Sequence, residues 1–181
     1  MKILFFSDMH GHAGNLVKLA ELDKTEHFDK VVSLGDMYYI GPRNEQTKEQ
    51  NIDLVKDTLT SFTEKLIAIR GNCDADVDLK VSDFPICSDL ALISVDGIDL
   101  YLTHGNVYNK NSTRKFYNKG VLLHGHEHIP YIETIGDMTF VCVGSISYAK
   151  NDNPETYAVY EDKKISIYSI DGELLISKEL D

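Results

Sequence analysis

Residues 2–36 carry the clearest fold signal in the chain, and they read KILFFSDMHGHAGNLVKLAELDKTEHFDKVVSLGD. The continuous apolar run at 2–6 is typical of a strand that is buried on both faces of a sheet. Residues 13–22 then repeat apolar side chains at helical spacing, and residues 30–34 form a second apolar run. This order of strand, helix and strand predicts a βαβ unit whose two strands lie parallel in one sheet.

The same alternation continues and then changes character after Pro85. Residues 51–62 predict a second helix, and residues 66–69 predict a third parallel strand. In the second half the apolar segments are short and are separated by turn signals such as Asp96-Gly97, which favours a two-residue hairpin. The strands predicted there cover 90–95, 98–102, 121–123, 131–135, 139–143, 156–160, 165–170 and 174–178. No repeat or linker interrupts the pattern, so we predict two packed sheets with helices outside, in one domain over residues 1–181.

The composition excludes several classes of protein. A net charge of −11 argues against broad nucleic-acid binding, which relies on patches of Lys and Arg. No apolar run approaches the roughly 20 residues that span a bilayer, and the first strand begins too near Met1 for a secretory signal. Cys73, Cys87 and Cys142 are odd in number and scattered, which predicts neither a disulfide framework nor a CxxC zinc site. We therefore expect a cytoplasmic protein with no membrane partner.

Five clusters of metal-capable side chains are spread along the chain, and four of them directly follow an apolar run. They are Asp8-Met9-His10, Gly35-Asp36, Gly71-Asn72-Cys73-Asp74, His104-Gly105 and Gly125-His126-Glu127-His128. Residues at the ends of neighbouring strands can converge in space although they lie far apart in sequence. Convergence would gather two Asp, one Asn and four His, which is enough for two metal ions.

Each cluster taken alone has an ordinary explanation. Ser7 or Asp8 could cap the helix that follows, Gly35-Asp36 could be a turn, and residues 125–128 could be a solvated loop. His12 could face a substrate or the surface, whereas His124 is expected to be packed and hydrogen-bonded. The recurrence of such clusters at strand ends favours the metal centre over five unrelated explanations.

The five clusters, in this order, resemble the blocks of the calcineurin-like metallophosphoesterases: D-x-H, G-D, G-N-H-[DE], H and G-H-x-H. Three longer segments resemble one branch of that family, the small YfcE-like phosphodiesterases. These segments are Gly41-Pro42-Arg43-Asn44, residues 70–74 (RGNCD) and residues 124–130 (HGHEHIP). The chain departs from the wider family at Cys73, where many members carry His, and Cys is a mark of the YfcE-like branch. It departs from that branch at Cys142-Val143, which replace Asn-Pro.

The resemblance implies an α/β fold, a four-layer α/β/β/α sandwich of two mixed sheets flanked by helices. By motif position, the first metal would be held by Asp8, His10, Asp36 and His128. The second would be held by Asp36, Asn72, His104 and His126, so that Asp36 bridges the pair. The family implies two divalent ions, with Mn²⁺ first and Zn²⁺, Fe, Ni²⁺ and Mg²⁺ as alternatives. Imidazole and carboxylate ligands suit such ions.

Two ions roughly 3.5–4 Å apart can bind a bridging hydroxide that attacks phosphorus in line. The residues expected to serve this reaction are Asp36, Asn72, His104, Cys73 and Arg43. Arg43 is the only arginine placed to clamp a phosphoryl group, and Cys73 replaces an imidazolium, so a monoanionic small-molecule phosphodiester is favoured over a dianionic monoester. The alternatives are a nucleotide or protein phosphomonoesterase on the same centre, and a non-catalytic protein-binding scaffold like Vps29. Self-association through the hairpin strands or Tyr38 and Tyr39 stays open.

Overall fold

The computed structural model describes residues 1–39, 50–87, 89–112 and 119–180. Three helices occur in these ranges: α1 (Gly14–Glu26), α2 (Ile52–Thr60) and the single turn α3 (Asp78–Val81). The strands form two sheets, and the prediction of an α/β fold with two mixed sheets is confirmed. None of the described helices has the length and the apolar character that crossing a bilayer requires.

The larger sheet has seven strands and joins the beginning of the chain to its end. In spatial order it contains β12 (Leu174–Glu179), β11 (Lys164–Ser169), β10 (Thr156–Glu161), β1 (Ile3–Phe6), β2 (Lys30–Ser33), β3 (Leu66–Ile69) and β4 (Ile86–Cys87). The strands from β1 to β4 are parallel because helical crossovers connect them, and for β1, β2 and β3 this is what the βαβ pattern predicts. β1 also pairs antiparallel with β10, so the parallel and antiparallel halves share one central strand.

The smaller sheet has five strands, in the spatial order β5 (Leu90–Val95), β6 (Ile98–Thr103), β7 (Gly120–His124), β9 (Met138–Cys142) and β8 (Tyr131–Ile135). The two hairpins at its edges, β5–β6 and β8–β9, are antiparallel. The inner pairs, β6–β7 and β7–β9, are parallel. β6 and β7 therefore run in the same direction, and the residues that follow them emerge at the same edge of the sheet.

Apolar side chains fill the space between the two sheets. The inward-facing residues of the larger sheet, such as Phe5 and Val32, pack against Leu100 and Leu123 of the smaller one. On the other face of the larger sheet, Leu4 and its neighbours pack against α1 and α2. A smaller cluster of Leu122, Met138 and Phe140 lies on the outer face of the smaller sheet. The strands are thus fixed on both faces, so the loops at their carboxyl ends rest on a rigid base.

Candidate metal centre

The loops after five strands carry all seven predicted metal ligands. Asp8 and His10 follow β1, Asp36 follows β2, Asn72 follows β3, His104 follows β6, and His126 and His128 follow β7. The loops of the two sheets meet directly, because the His126 backbone N–H donates to Asp8 Oδ2 over 2.9 Å. Ligands from both halves of the chain therefore converge at one edge of the sandwich.

The first group of donors consists of Asp8, His10 and His128. Asp8 Oδ1 lies 3.7 Å from His10 Nε2 and 3.2 Å from His128 Nε2, and the two imidazole nitrogens are 3.5 Å apart. All three side chains are buried. Three donor atoms at this mutual spacing, on residue types that bind divalent cations, can surround one ion.

The second group lies beside the first and shares Asp36 with it. Asp36 Oδ2 lies 3.2 Å from His104 Nε2 and 3.8 Å from His10 Nε2, so this single carboxylate oxygen faces both groups. Asn72 Oδ1 is 3.1 Å from His104 Nε2, and the rings of His104 and His126 are in edge contact at 5.2 Å between centroids. Asn72 and His126 therefore both lie against His104, whose Nε2 contacts Asp36.

Each of the two aspartates turns one carboxylate oxygen to a backbone N–H and the other to the imidazoles. Asp8 Oδ1 is buried and has no hydrogen-bond partner among the described residues, whereas Asp8 Oδ2 accepts the His126 N–H. Asp36 is divided in the same way, since Oδ1 accepts the Cys73 N–H at 2.8 Å and Oδ2 faces the imidazoles. A buried carboxylate oxygen without a partner is costly, and a bound cation would remove that cost. The residues present therefore fit a pair of divalent ions.

Backbone carbonyls orient three of the four imidazoles. The Nδ1 atoms of His10, His104 and His128 lie 2.8, 2.8 and 2.5 Å from the carbonyl oxygens of Tyr39, Leu34 and Tyr148. A carbonyl only accepts, so each Nδ1 carries the proton and donates it. In the neutral ring this leaves the Nε2 lone pair free and pointed at the centre, which is the usual arrangement of metal-binding histidines.

Two buried side chains hold the ligand loops in place. The Asp74 carboxylate accepts backbone N–H bonds from Asp36, Met37 and Gly71, each at 2.7–2.8 Å. Ser145 donates its hydroxyl to the Asp8 carbonyl over 2.9 Å, and its oxygen accepts the N–H of Tyr148. Asp74 belongs to the RGNCD segment, which does not indicate this role, and Ser145 lies beyond the last ligand. Both act on the backbone of ligand-bearing loops.

The Asp36 loop and the Asn72 loop approach so closely that only glycine fits at Gly71. A Cβ at this position would overlap the Asp36 carboxylate and its backbone nitrogen. Gly125 has the same constraint against Ser7 and Asp8. These glycines are therefore required by the contact between loops from different strands.

We expect Gly71→Ala to lose metal and to destabilise the fold by about 1–3 kcal/mol, the typical cost of overpacking. The added methyl must displace Asp36, which contributes to both groups of donors. Gly14→Ala is the matched control, since a Cβ at Gly14 meets nothing within 4 Å. Metal content by mass spectrometry and thermal unfolding would measure both effects. A Gly71→Ala protein that holds as much metal as the control would contradict the close packing described here.

Five of the seven ligand residues have a left-handed backbone. The φ angles are 58° at Asp8, 47° at His10, 54° at Asp36, 67° at His126 and 61° at His128. This conformation is uncommon for residues other than glycine and costs of order 1–3 kcal/mol each. The strain is concentrated where the chain turns sharply after a strand and aims a side chain at the centre. Such clustering is typical of functional sites.

The acidic and basic groups of the centre perturb one another strongly. Burial alone would raise the pKa of Asp8, but the neighbouring His128, His104 and His10 hold it well below its usual range. At Asp36, burial likewise raises the pKa, but the hydrogen bond and the charge of His104 outweigh this effect, and the pKa is lowered. For His104, burial lowers the pKa, but the hydrogen bond to Asp36 and the charges of Asp8 and Asp36 raise it to about 9. In the metal-free protein His104 is therefore the protonated partner of the two carboxylates.

We expect metal binding at neutral pH to release about one proton from His104, because coordination requires the unprotonated Nε2. With a metal-free pKa of about 9, His104 is protonated at pH 7. The apparent affinity should therefore rise with pH up to about 9 and level off above it. Calorimetric titration of Mn²⁺ into metal-free protein, in two buffers of different ionisation enthalpy, would count the protons. A heat that does not depend on the buffer at pH 7 would contradict this expectation.

The other predicted residues have different outcomes. Arg43 lies outside the described residues. Cys73 is half-buried beside the centre, and burial together with the charge of Asp36 raises the pKa of its thiol to about 12. His12 lies next to the centre, where its Nε2 is 2.9 Å from the Tyr148 hydroxyl. His124 is buried and hydrogen-bonded, as the sequence predicts, with Nδ1 on the Gly125 carbonyl and Nε2 3.0 Å from the Tyr131 hydroxyl.

Comparison with known proteins gives consistent matches over nearly the whole chain. The family model of the calcineurin-like phosphoesterase superfamily domain matches residues 1–164. The chain is 30% identical to phosphodiesterase YfcE of Escherichia coli K12 over 178 residues, which cover 98% of this chain and 97% of that protein. The structure of E. coli YfcE, described as a phosphoesterase, superposes with a TM-score of 0.94 at 30% identity and complete coverage of both chains.

More distant relatives extend the fold comparison. Phosphodiesterase MJ0936 of Methanocaldococcus jannaschii is 24% identical over 153 residues, which cover 80% of this chain and 83% of that protein. Vps29 of Entamoeba histolytica, solved with zinc, gives a TM-score of 0.67 at 18% identity over the full length of both chains. The prediction of a metal-dependent phosphoric ester hydrolase is confirmed at the level of the family. From its sequence, its fold and the ligand-bearing loops at one edge of the sandwich, the chain belongs to the calcineurin-like phosphoesterase superfamily.

Proposed function

We propose that this protein is a phosphodiesterase that hydrolyses a small phosphodiester at a centre of two divalent metal ions, with Mn²⁺ as the first candidate. One observation carries the proposal. Asp36 Oδ2 lies 3.8 Å from His10 Nε2 and 3.2 Å from His104 Nε2, so a single carboxylate is shared by two groups of donors. A shared carboxylate is what a pair of ions working on one phosphoryl group requires.

The seven ligands divide between the two sites. In this proposal Asp8, His10, Asp36 and His128 hold one ion, and Asp36, Asn72, His104 and His126 hold the other. When bound, the ions would supply Lewis-acid neutralisation of phosphoryl oxygens and would lower the pKa of bound water. Asn72 is neutral, and its amide oxygen adds a donor to a site already rich in negative charge.

The residues around the ligands act mainly by holding the ligand side chains and loops in fixed orientations. The carbonyls of Tyr39, Leu34 and Tyr148 keep three imidazoles in the coordinating tautomer. Asp74 fixes the loops that carry Asp36 and Asn72 through three backbone N–H bonds. The Cys73 N–H holds Asp36 Oδ1, which leaves Oδ2 directed at the centre. Substrate would thus meet a preformed site, which lowers the cost of reorganisation during the reaction.

Charge supports a diester over a monoester. A monoester is close to dianionic at neutral pH and draws additional cationic clamps. Arg70, which directly precedes Gly71-Asn72, is already engaged: its Nε donates to the Asp74 carbonyl and its guanidinium pairs with Asp76 at 2.9 Å. At the position after Asn72 the chain has the neutral thiol of Cys73, where an imidazolium would attract a dianion. The names of the E. coli and M. jannaschii relatives, both phosphodiesterases, agree with this preference.

The test is hydrolysis of bis-p-nitrophenyl phosphate against p-nitrophenyl phosphate by chelator-stripped protein supplied separately with Mn²⁺, Zn²⁺ or Mg²⁺. We expect metal-dependent turnover with kcat/KM at least about tenfold higher for the diester, a difference of about 1.4 kcal/mol in transition-state stabilisation. A clear preference for the monoester would overturn the substrate class and favour a nucleotide or protein phosphatase. Two bound ions without turnover of either compound would favour a protein-binding scaffold like Vps29.

The remaining expectations concern location and partners. We propose a cytoplasmic enzyme that acts on a small molecule and does not bind nucleic acid broadly. The three cysteines are free thiols, and the net charge of −11 opposes polyanion binding outside the metal centre. Self-association stays a prediction.

A further inference from the structure

A thiol lies within reach of the metal centre without belonging to the seven ligands. His10, Asp36 and Cys73 each offer one donor atom, and these three atoms all lie within 4.8 Å of one another. Two members of this group are ligands of the proposed centre, and the third is sulfur. The group therefore overlaps the centre and differs from it in the chemistry of one donor.

Cys73 is fixed in this position by the ligands on either side. Its backbone N–H donates to Asp36 Oδ1 over 2.8 Å, and its sulfur accepts the Asn72 amide N–H over 3.2 Å. The side chain is half-buried, so an ion that enters the centre from solvent can reach the sulfur. The contacts hold the sulfur beside Asp36 and facing the same space as the His10 imidazole.

A second observation points to a cation at this place. Asp8 Oδ1 is buried with no hydrogen-bond partner among the described residues, and it lies 3.7 Å from His10 Nε2. Its charge faces the same imidazole that the thiol group shares. A cation held by His10, Asp36 and Cys73 would thus have a second carboxylate oxygen, Asp8 Oδ1, beside the His10 imidazole nitrogen as a neighbouring fourth donor.

We propose that His10, Asp36 and Cys73 form an alternative site for one soft cation, such as Zn²⁺ or Cd²⁺, which overlaps the dinuclear centre. Thiolate binds soft ions in preference to Mn²⁺ or Mg²⁺, which favour oxygen and nitrogen donors. On binding, a sulfur–metal bond forms and the S–H bond breaks, with the proton released to solvent. The inference rests on the metal centre of the proposed function, but not on the identity of the substrate.

The overlap has a consequence for metal selectivity. An ion bound to the Cys73 sulfur uses His10 and Asp36, so it competes with the ion pair that needs both residues. Hard ions would leave the thiol protonated and occupy the seven-ligand centre. Soft ions would bind the sulfur together with Asp36. The Asp36 carboxylate would then no longer be available to the ion pair. Cd²⁺ should therefore inhibit protein loaded with Mn²⁺.

The test uses Cd²⁺ as the probe, because sulfur-to-cadmium charge transfer absorbs in the ultraviolet. We expect metal-free wild-type protein to develop this absorption on titration with Cd²⁺, and Mn²⁺ to produce none. Cys73→Ser should lose the absorption and bind Cd²⁺ about tenfold more weakly, whereas its Mn²⁺ stoichiometry should be unchanged. Cys87→Ser is the matched control, since Cys87 lies in β4 and packs against the core between the sheets. The control should keep the absorption.

The proposal is overturned if Cd²⁺ binds without this absorption, if Cys73→Ser keeps it, or if Cys87→Ser loses it. Should Cys73→Ser fail to fold, X-ray absorption of Zn²⁺ bound to the Cys87→Ser protein decides instead. A Zn–S distance of about 2.3 Å supports the proposal, and a shell of nitrogen and oxygen alone overturns it. Hydrolysis of the diester by Mn²⁺-loaded wild-type protein is measured separately. Its absence would count against the proposed function and leave the spectroscopic result standing.

Discussion

Asp36→Asn should remove both metal ions and lower kcat/KM for the diester by about 10³-fold or more. The substitution keeps the shape of the side chain, and its amide oxygen can still accept the Cys73 N–H. The backbone N–H of residue 36 also keeps its bond to Asp74. What is lost is the negative charge on Oδ2, which faces His10 and His104. Metal ions supply several kcal/mol of transition-state charge stabilisation, and each 1.36 kcal/mol is worth a factor of ten.

The control for Asp36→Asn is Asp171→Asn. The Asp171 carboxylate is 85% exposed and makes only a 3.6 Å ion pair with Lys18, so its charge contributes little. Both variants should give the circular dichroism of the wild-type protein. Metal content and diester hydrolysis are then compared at equal protein concentration. Two tightly bound ions in Asp36→Asn would show that Asp36 does not bridge the pair.

His104→Ala should reduce the metal content from two ions to one and lower activity by about 10²-fold or more. Asn72→Ala should have the same effect on stoichiometry. His104 Nε2 lies 3.2 Å from Asp36 Oδ2, and Asn72 Oδ1 lies 3.1 Å from the same nitrogen, so both variants open the same side of the centre. In the proposed assignment, the first site would keep Asp8, His10, Asp36 and His128. One remaining ion cannot clamp the attacking and the leaving oxygen together, which accounts for the loss of rate.

A buried histidine outside the ligand set provides the comparison for His104→Ala. His124 is fully buried and bonds the Gly125 carbonyl and the Tyr131 hydroxyl, so His124→Ala tests the general cost of removing a packed imidazole. It should destabilise the fold and retain a second ion at saturating Mn²⁺. Full activity with two ions in either His104→Ala or Asn72→Ala would disprove the ligand assignment.

The sequence predicts the elements that have a strong periodic signal. β1 is buried throughout, β2 is buried after Lys30, and β3 is buried at Ala68 and Ile69, as expected for parallel strands inside a sheet. Asp96-Gly97 forms the predicted hairpin turn between β5 and β6, with φ angles of 54° and 80°. α1 continues to Glu26, beyond the predicted end at residue 22. Its last turn is polar and faces solvent, so this turn has no apolar repeat by which the sequence could predict it. The two-residue strand β4 and the single turn α3 are too short to leave a pattern.

The sequence indicates which residues of the ligand loops come together, but it does not indicate the paths of these loops. The residue types and their order along the chain predict which side chains converge. The capping explanation for Ser7 or Asp8 is wrong, because α1 begins after Ala13 without a side-chain cap. The carbonyls that orient the histidines could not be predicted, since every residue has a carbonyl and only the path of the loop selects Tyr39, Leu34 and Tyr148. The left-handed conformation of the ligands depends on the same loop paths.

The central position of β1 has a consequence for the synthesis of the protein. β1 is made first, but it pairs with β10 near the other end of the chain, and 118 residues separate Asp8 from its partner His126. At about 5–20 residues per second, Asp8 and His10 leave the ribosome roughly 6–24 s before the histidines that complete their site. The nascent chain can therefore hold neither ion fully until most of it has been translated. In the proposed assignment, loading with metal is therefore a late event that has to wait for the second sheet.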